Sequence, residues 1–190
     1  MPTSPFKAAR RWFRGYVAAR DGVAAIEFAI VSIPFLALLF SILELGILFM
    51  ASTAIEAAST NAARQIRTGQ LQQTGANNAA GFRTLVCADM SWISSADCNA
   101  NLSVDVRTFS SFSAISVTPP VSGNAIDTSQ LTFNDGSPCD IVLVRVFYPW
   151  TLITPLLEPG LPNLGPNQRL LSTVIAFRNE DYQSQGATCS

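Results

Sequence analysis

Apolar positions run almost without interruption from Val23 to Met50, within the stretch DGVAAIEFAIVSIPFLALLFSILELGILFM that starts at Asp21. The polar side chains inside the run are Ser32, Ser41, Glu27 and Glu44. At 1.5 Å per residue, about 20 residues cross a hydrocarbon core of about 30 Å, so the run is long enough to span a membrane. It exceeds the roughly 7–15 residues of a signal-peptide apolar region. Past Met50 the pattern changes without breaking. Ile55, Ala58, Ala62 and Ile66 recur at helical spacing on one face. Arg64 and Arg67 suit the negative end of a helix, and Thr68-Gly69 reads as its stop. One helix is therefore expected from about Gly22 to Arg67. The apolar face beyond Met50 packs either on the chain's own outer domain or on neighbouring subunits.

The remaining pattern is that of a small α+β domain. Gln70 to Asn78 is polar and reads as a linker. Ala79 to Met90 presents Phe82, Leu85, Val86 and Met90 as a short helix, with Gly81 as its weak point. Leu102 to Phe109 alternates with period two, as a half-buried strand does. Ser113 to Thr118 is a candidate second strand, followed by a loop at Pro119-Pro120 and Ser122-Gly123-Asn124. Asn134-Asp135-Gly136-Ser137 is a turn signal. Ile141 to Tyr148 carries branched and aromatic residues on both phases, which suits a central strand covered on both faces. Leu170 to Phe177 is the last strand. The expected architecture is a long N-terminal helix against a three- to four-stranded antiparallel sheet.

Charge orients this arrangement. Lys7, Arg10, Arg11, Arg14 and Arg20 precede Asp21 with no acid among them. The next basic residue after the apolar run is Arg64. The positive-inside rule then puts the N-terminus in the cytoplasm and the later domain outside. After Met50 the chain carries ten acids against seven arginines and no lysine, so that part lacks the basic surface that nucleic acid requires. The chain has no histidine, which removes the commonest general base and metal ligand. No phosphate-binding glycine loop, GxSxG or HExxH is present, and the reading is of a protein that is not an enzyme and needs no cofactor or metal. Asp89, Asp97, Asp105, Asp127, Asp135 and Asp140 are scattered and read as solvated surface or turn acids.

The two acids of the apolar run need separate accounts. A carboxylate at mid-bilayer costs about 2.5–3.5 kcal/mol on insertion scales, so each is a functional hint. Glu44 lies about 25 Å along the helix from Glu27 and reads as a boundary residue reaching the outer interface. Glu27 stands near the cytoplasmic edge, in Gly22-Val23-Ala24-Ala25-Ile26-Glu27-Phe28. That spacing resembles the processing site of type IV pilins and pseudopilins. More closely, GVAAIEFAIVSIPFLALLFSILELG, with Ala62-Ala63-Arg64, Gly69 and a weaker echo at Phe177-Arg178-Asn179-Glu180, resembles the TadE-like family of tight-adherence (Flp-type) pilus systems. The close match covers about a quarter of the chain.

The resemblance implies a pilin-like fold, cleavage between Gly22 and Val23 by a prepilin peptidase, and residence in the inner membrane with other pilins or pseudopilins and Tad-type assembly machinery. Residues 1–22 would be a cytoplasmic basic leader, 23–50 the transmembrane and assembly helix, 51–69 its continuation and 70–190 a periplasmic domain. Glu27 of one subunit would pair with the new ammonium at Val23 of another, or be held by lipid head groups or a partner protein. Pro34 removes a backbone hydrogen bond and is expected to kink or locally melt the helix. The role implied is a minor pseudopilin or an assembly-priming subunit. The alternative is an unprocessed, signal-anchored periplasmic accessory or binding protein.

Two features remain. Cys87, Cys98, Cys139 and Cys189 all follow the anchor, where an oxidising compartment favours disulfides over free thiols. Of the three pairings, Cys87–Cys98 with Cys139–Cys189 is favoured. The first closes a short loop, and the second follows if strands 141–148 and 170–177 pair antiparallel. Pro149 to Pro166, PWTLITPLLEPGLPNLGP, cannot be a regular helix or central strand. Its Trp150, Leu152, Ile153, Leu156 and Leu157 either fold over the sheet or form an apolar surface toward the membrane or another subunit.

Overall fold

A computed structural model describes residues 20–90, 93–154, 160–165, 167–182 and 189. The leader expected over 1–22 lies outside them up to residue 19, as do Leu156 and Leu157. The chain divides into two compact units, Met1–Leu43 and Glu44–Ser190. A single 48-residue helix, α1 (Arg20–Arg67), contributes to both. It continues through Pro34 without a break in its assignment.

In the first unit, the apolar side chains of α1 are solvent-facing: Phe28 is 75% and Ile33 71% exposed. A surface of that kind is stable only when lipid or another protein covers it. Among the described residues this is the one helix long and apolar enough to cross a membrane.

The second unit is an α+β domain. After α1 come α2 (Gln70–Gln73), α3 (Ala79–Asp89), α4 (Ser95–Asn101), β1 (Ser103–Phe109), the two-residue strands β2 (Val121–Ser122) and β3 (Ala125–Ile126), β4 (Ile141–Thr151) and β5 (Gln168–Arg178). The main sheet is antiparallel, in the order β1-β4-β5. Central β4 is buried continuously from Ile141 to Tyr148, as its two-phase apolar pattern requires. One of its faces meets Ile55, Ala58, Ala62 and Ile66 of α1, each at most 3% exposed, with Phe82, Val86 and Met90 of the α3 region. The apolar face of the helix beyond Met50 therefore packs on the chain's own domain. Asn78 caps α3 by accepting from the Gly81 N–H at 2.9 Å. Gly81 is a requirement there: a Cβ would lie 2.1 Å from the Ala76 carbonyl oxygen.

Several local expectations are corrected. Ser113 to Thr118 is no strand. A 3-10 turn at Phe112–Ala114 leads into chain without regular secondary structure, and the Thr118 carbonyl accepts from an Arg145 side chain instead of a strand neighbour. The outer edge of β1 is covered by residues 132–134: Val106 N–H donates to Thr132 O at 2.8 Å, and Asn134 N–H to Val106 O at 2.9 Å. The linker holds the single turn α2, the loop near Gly123 closes the small β2–β3 hairpin, and α4 was not foreseen. Its sequence, SADCNAN, has no apolar period, and Cys98 is its buried residue. β4 also runs further than expected, through Pro149 to Thr151. Beyond Phe147 β1 has ended, so among the described residues β4 has β5 as its one strand neighbour and is an edge there, where proline is tolerated.

Both expected disulfides are formed, Cys87–Cys98 and Cys139–Cys189. The second follows from the register anticipated for it. Ile141 pairs with Arg178, which brings the start of β4 beside the end of β5.

Candidate functional site

The residues singled out at the N-terminal end of α1 all lie on regular helix. Gly22 is half-exposed, and Val23 (59% exposed), Glu27 and Phe28 are open. The helix begins at Arg20, so the peptide bond between Gly22 and Val23 lies inside its first turn. Gly22 does not break the helix. Val23 and Glu27 are four residues apart and share a helix face.

Glu44 has a different role from the one its position suggests. It does not reach outward to water. It is 7% exposed, and its carboxylate is folded onto the loop that follows β4. One oxygen accepts from the Ile153 N–H and the other from the Thr154 N–H, the latter at 2.7 Å. Two consecutive backbone donors and a carboxylate form a charge-assisted clasp between α1 and this loop. Leu152, just before the clasp, is buried at 5% exposure, and Trp150 is half-buried with its ring 6.5 Å from that of Tyr148. Ile153 is the opposite, at 86% exposed. The proline-rich stretch thus sends Leu152 inward and leaves Ile153 open. Sequence reasoning missed the clasp because its donors are main-chain groups, which carry no side-chain signal.

The C-terminal end of α1 is locked by the segment after β5. Gly69 adopts φ +74°, and the Tyr182 ring lies where a Cβ would be, 2.3 Å from Tyr182 Cγ. Both conditions demand glycine. The Glu180 N–H donates to Arg67 O at 2.9 Å, and the two side chains form an exposed ion pair at 3.1 Å. Asn179 is 1% exposed. Its N–H donates to Asp140 O, and its Nδ2 to Asp135 O and Ser137 O at 2.9 and 3.0 Å. The Asn134–Ser137 turn, the Cys139–Cys189 bridge and the Phe177–Glu180 stretch therefore meet at one place, the end of the long helix. Burial, then the Asp135 and Asp140 charges, push the Tyr182 phenol up.

Asp105 also departs from expectation. It is fully buried on the face of β1 opposite Val104 and Val106. Its register partner on β4 is Arg145. Arg145 donates Nε and Nη2 to Asp105 Oδ2 at 3.0 and 2.8 Å. Arg107 Nε donates at 3.0 Å and the Thr132 N–H at 2.8 Å. Burial pushes the carboxyl up, but the Thr132 N–H and the two guanidinium groups outweigh it and hold Asp105 below the ordinary carboxylate range. The signal was present in the sequence: Arg145 is the one charge in an otherwise apolar strand covered on both faces, and a buried guanidinium needs a carboxylate. Among the described residues no group of three or more metal-ligating side chains converges.

A family model described as TadE-like protein matches residues 22–64. The match starts at Gly22 and ends at Arg64, so it covers the apolar run and most of the helix face that packs on the sheet. No curated protein and no solved structure matches the chain.

Proposed function

We propose that the protein is a minor pseudopilin or assembly-priming subunit of a Tad/Flp-type pilus or a related secretion system. In this reading it is anchored in the inner membrane by residues 23–50, with its N-terminus cytoplasmic and residues 70–190 in the periplasm. A prepilin peptidase cuts between Gly22 and Val23, and the subunit then packs against other pilins or pseudopilins and the assembly machinery through α1. The observation that carries the reading is the bare apolar helix with Glu27 on its open surface, inside the segment that resembles the TadE-like family.

The chemistry is consistent step by step. A peptidase needs an extended substrate, so the first turn of α1 must open. Gly22 lowers that cost, since glycine stabilises a helix by about 1 kcal/mol less than alanine. Cleavage removes the basic leader with Asp21 and creates an ammonium at Val23. Glu27 of a neighbouring subunit then pairs with it. At 4 Å and an effective dielectric near 20, such a pair attracts by about 4 kcal/mol, which offsets much of the cost of about 2.5–3.5 kcal/mol for each of the two charges. The pair also sets the axial register of the helices. Pro34 supplies a point where the helix can bend on leaving the bilayer.

The test is Glu27→Ala. The variant should insert and fold as the parent does, yet be depleted several-fold from sheared filaments or from the isolated assembly complex. Incorporation equal to the parent's would remove Glu27 from the mechanism.

A further inference from the structure

The edge of the outer domain beside Glu44 has the chemistry of a lipid-water interface. Counted along α1, Glu44 is 21 residues beyond Val23, which at 1.5 Å each is about 32 Å, close to the thickness of a hydrocarbon core. With Val23 at the inner edge of the core, Glu44 falls at its outer edge. The clasp then holds the Ile153–Thr154 backbone at the same level. Ile153 is 86% exposed there, and the α1 residues just beyond, Phe49 and Met50, are 68% and 53% exposed. A cavity of about 280 Å³ opens beside them, walled by Leu45, Leu48, Phe49, Leu161 and Leu171, with Arg169 in its lining. Arg169 uses one donor on Leu161 O at 2.9 Å and is the register partner of Trp150. Trp and Arg beside apolar side chains are the residue types that populate membrane interfaces, where the guanidinium meets phosphate.

We propose that this face, comprising Ile153, Trp150 and the Arg169-lined groove, seats on the phospholipid headgroups of the outer leaflet that α1 enters, with Glu44 as the clasp that sets its depth. The proposal rests on the reading that α1 spans a bilayer. It goes beyond anchoring, because it fixes the outer domain against the membrane surface before any assembly. Charge and depth favour lipid over a second copy of the chain as the occupant: Arg169 offers a cation to anionic headgroups, and the groove lies at the level where they begin.

The experiment uses the full chain in vesicles of phosphatidylcholine and phosphatidylglycerol. The four native cysteines are bridged, so Ile153→Cys, labelled with a small thiol-reactive fluorophore, supplies one reporter at an exposed position and leaves Trp150 in the face. Resistance to alkaline extraction first tests the spanning reading by itself. The expected result is a reporter shielded several-fold from iodide and quenched several-fold more by a headgroup-level spin-labelled lipid than by a mid-chain one. Adding Glu44→Ala should abolish the lipid quenching, and unchanged quenching would remove the clasp from the proposal. An extraction-resistant chain whose reporter iodide quenches freely overturns the seat while leaving the anchor intact. Shielding without lipid quenching, lost on dilution into more lipid, overturns it in favour of a second copy.

Discussion

Asp105→Ala should be among the most damaging single substitutions in the outer domain. The carboxylate is fully buried and accepts from Arg145, Arg107 and the Thr132 N–H. Without it, the Arg145 guanidinium, whose side chain is 6% exposed, retains the Thr118 carbonyl at 2.6 Å and the face of Phe147. Breaking one partner of a buried pair costs about 3–5 kcal/mol, because the other charge is stranded. Arg107 adds about 0–1 kcal/mol at most, since it is 37% exposed and can turn to water. The expected loss is therefore about 3–5 kcal/mol, measured by urea unfolding of the full chain in detergent with both disulfides intact. Adding Arg145→Met should recover much of it, because the stranded charge is then gone. The pH dependence has a definite sign. Asp105 has a lowered folded-state pKa, so its contribution is complete above the ordinary carboxylate value of about 3.9 and is lost as pH falls through the lower folded value. Asp105→Asn should flatten that acid limb. A cost below about 1 kcal/mol for Asp105→Ala, the magnitude of an exposed pair, would refute the burial argument.

Three other outcomes follow from the same geometry. Gly69→Ala should cost about 1–2 kcal/mol from the left-handed backbone alone, and more from displacing the Tyr182 ring; in a Tyr182→Ala background only the first part should remain in the unfolding free energy. Removing Cys139–Cys189, whose cysteines are 50 positions apart, should lower stability by about 4 kcal/mol, against about 3 kcal/mol for Cys87–Cys98, 11 positions apart, compared by unfolding of the two double-serine variants. Because Cys189 follows the segment that locks the end of α1, loss of the first bridge should also speed proteolysis of residues beyond Arg178, read by mass spectrometry of limited digests.

What was legible in the chain was whatever depends on period and local chemistry. The long helix, its stop at Gly69, α3 and the strands β1, β4 and β5 follow from apolar spacing and turn residues. The disulfide pairing followed once β4 and β5 were placed antiparallel. What stayed hidden depends on contacts between distant segments. Asp105 sits in a strand whose alternation puts Val104 and Val106 on one face, and nothing local reveals that the other face is covered as well. Glu44 could be placed at the end of the apolar run but not against two main-chain donors more than a hundred residues later. Ser113 to Thr118 has the composition of a strand, yet its Thr118 carbonyl serves a buried arginine. α4 forms where the Cys87–Cys98 bridge and the Cys98 N–H to Ser94 O bond at 2.9 Å hold a segment with no apolar period.

Cleavage between Gly22 and Val23 followed by packing through α1 is the step on which the proposed function depends. The N-terminus of the membrane-extracted protein, from cells with a working prepilin peptidase and from cells lacking it, tests this most directly by intact-mass and N-terminal peptide mass spectrometry. The account requires a chain beginning at Val23 in the first case and one retaining residues 1–22 in the second. Residues 1–22 still attached in the presence of the peptidase would contradict it, and would leave α1 as a membrane anchor that is never processed.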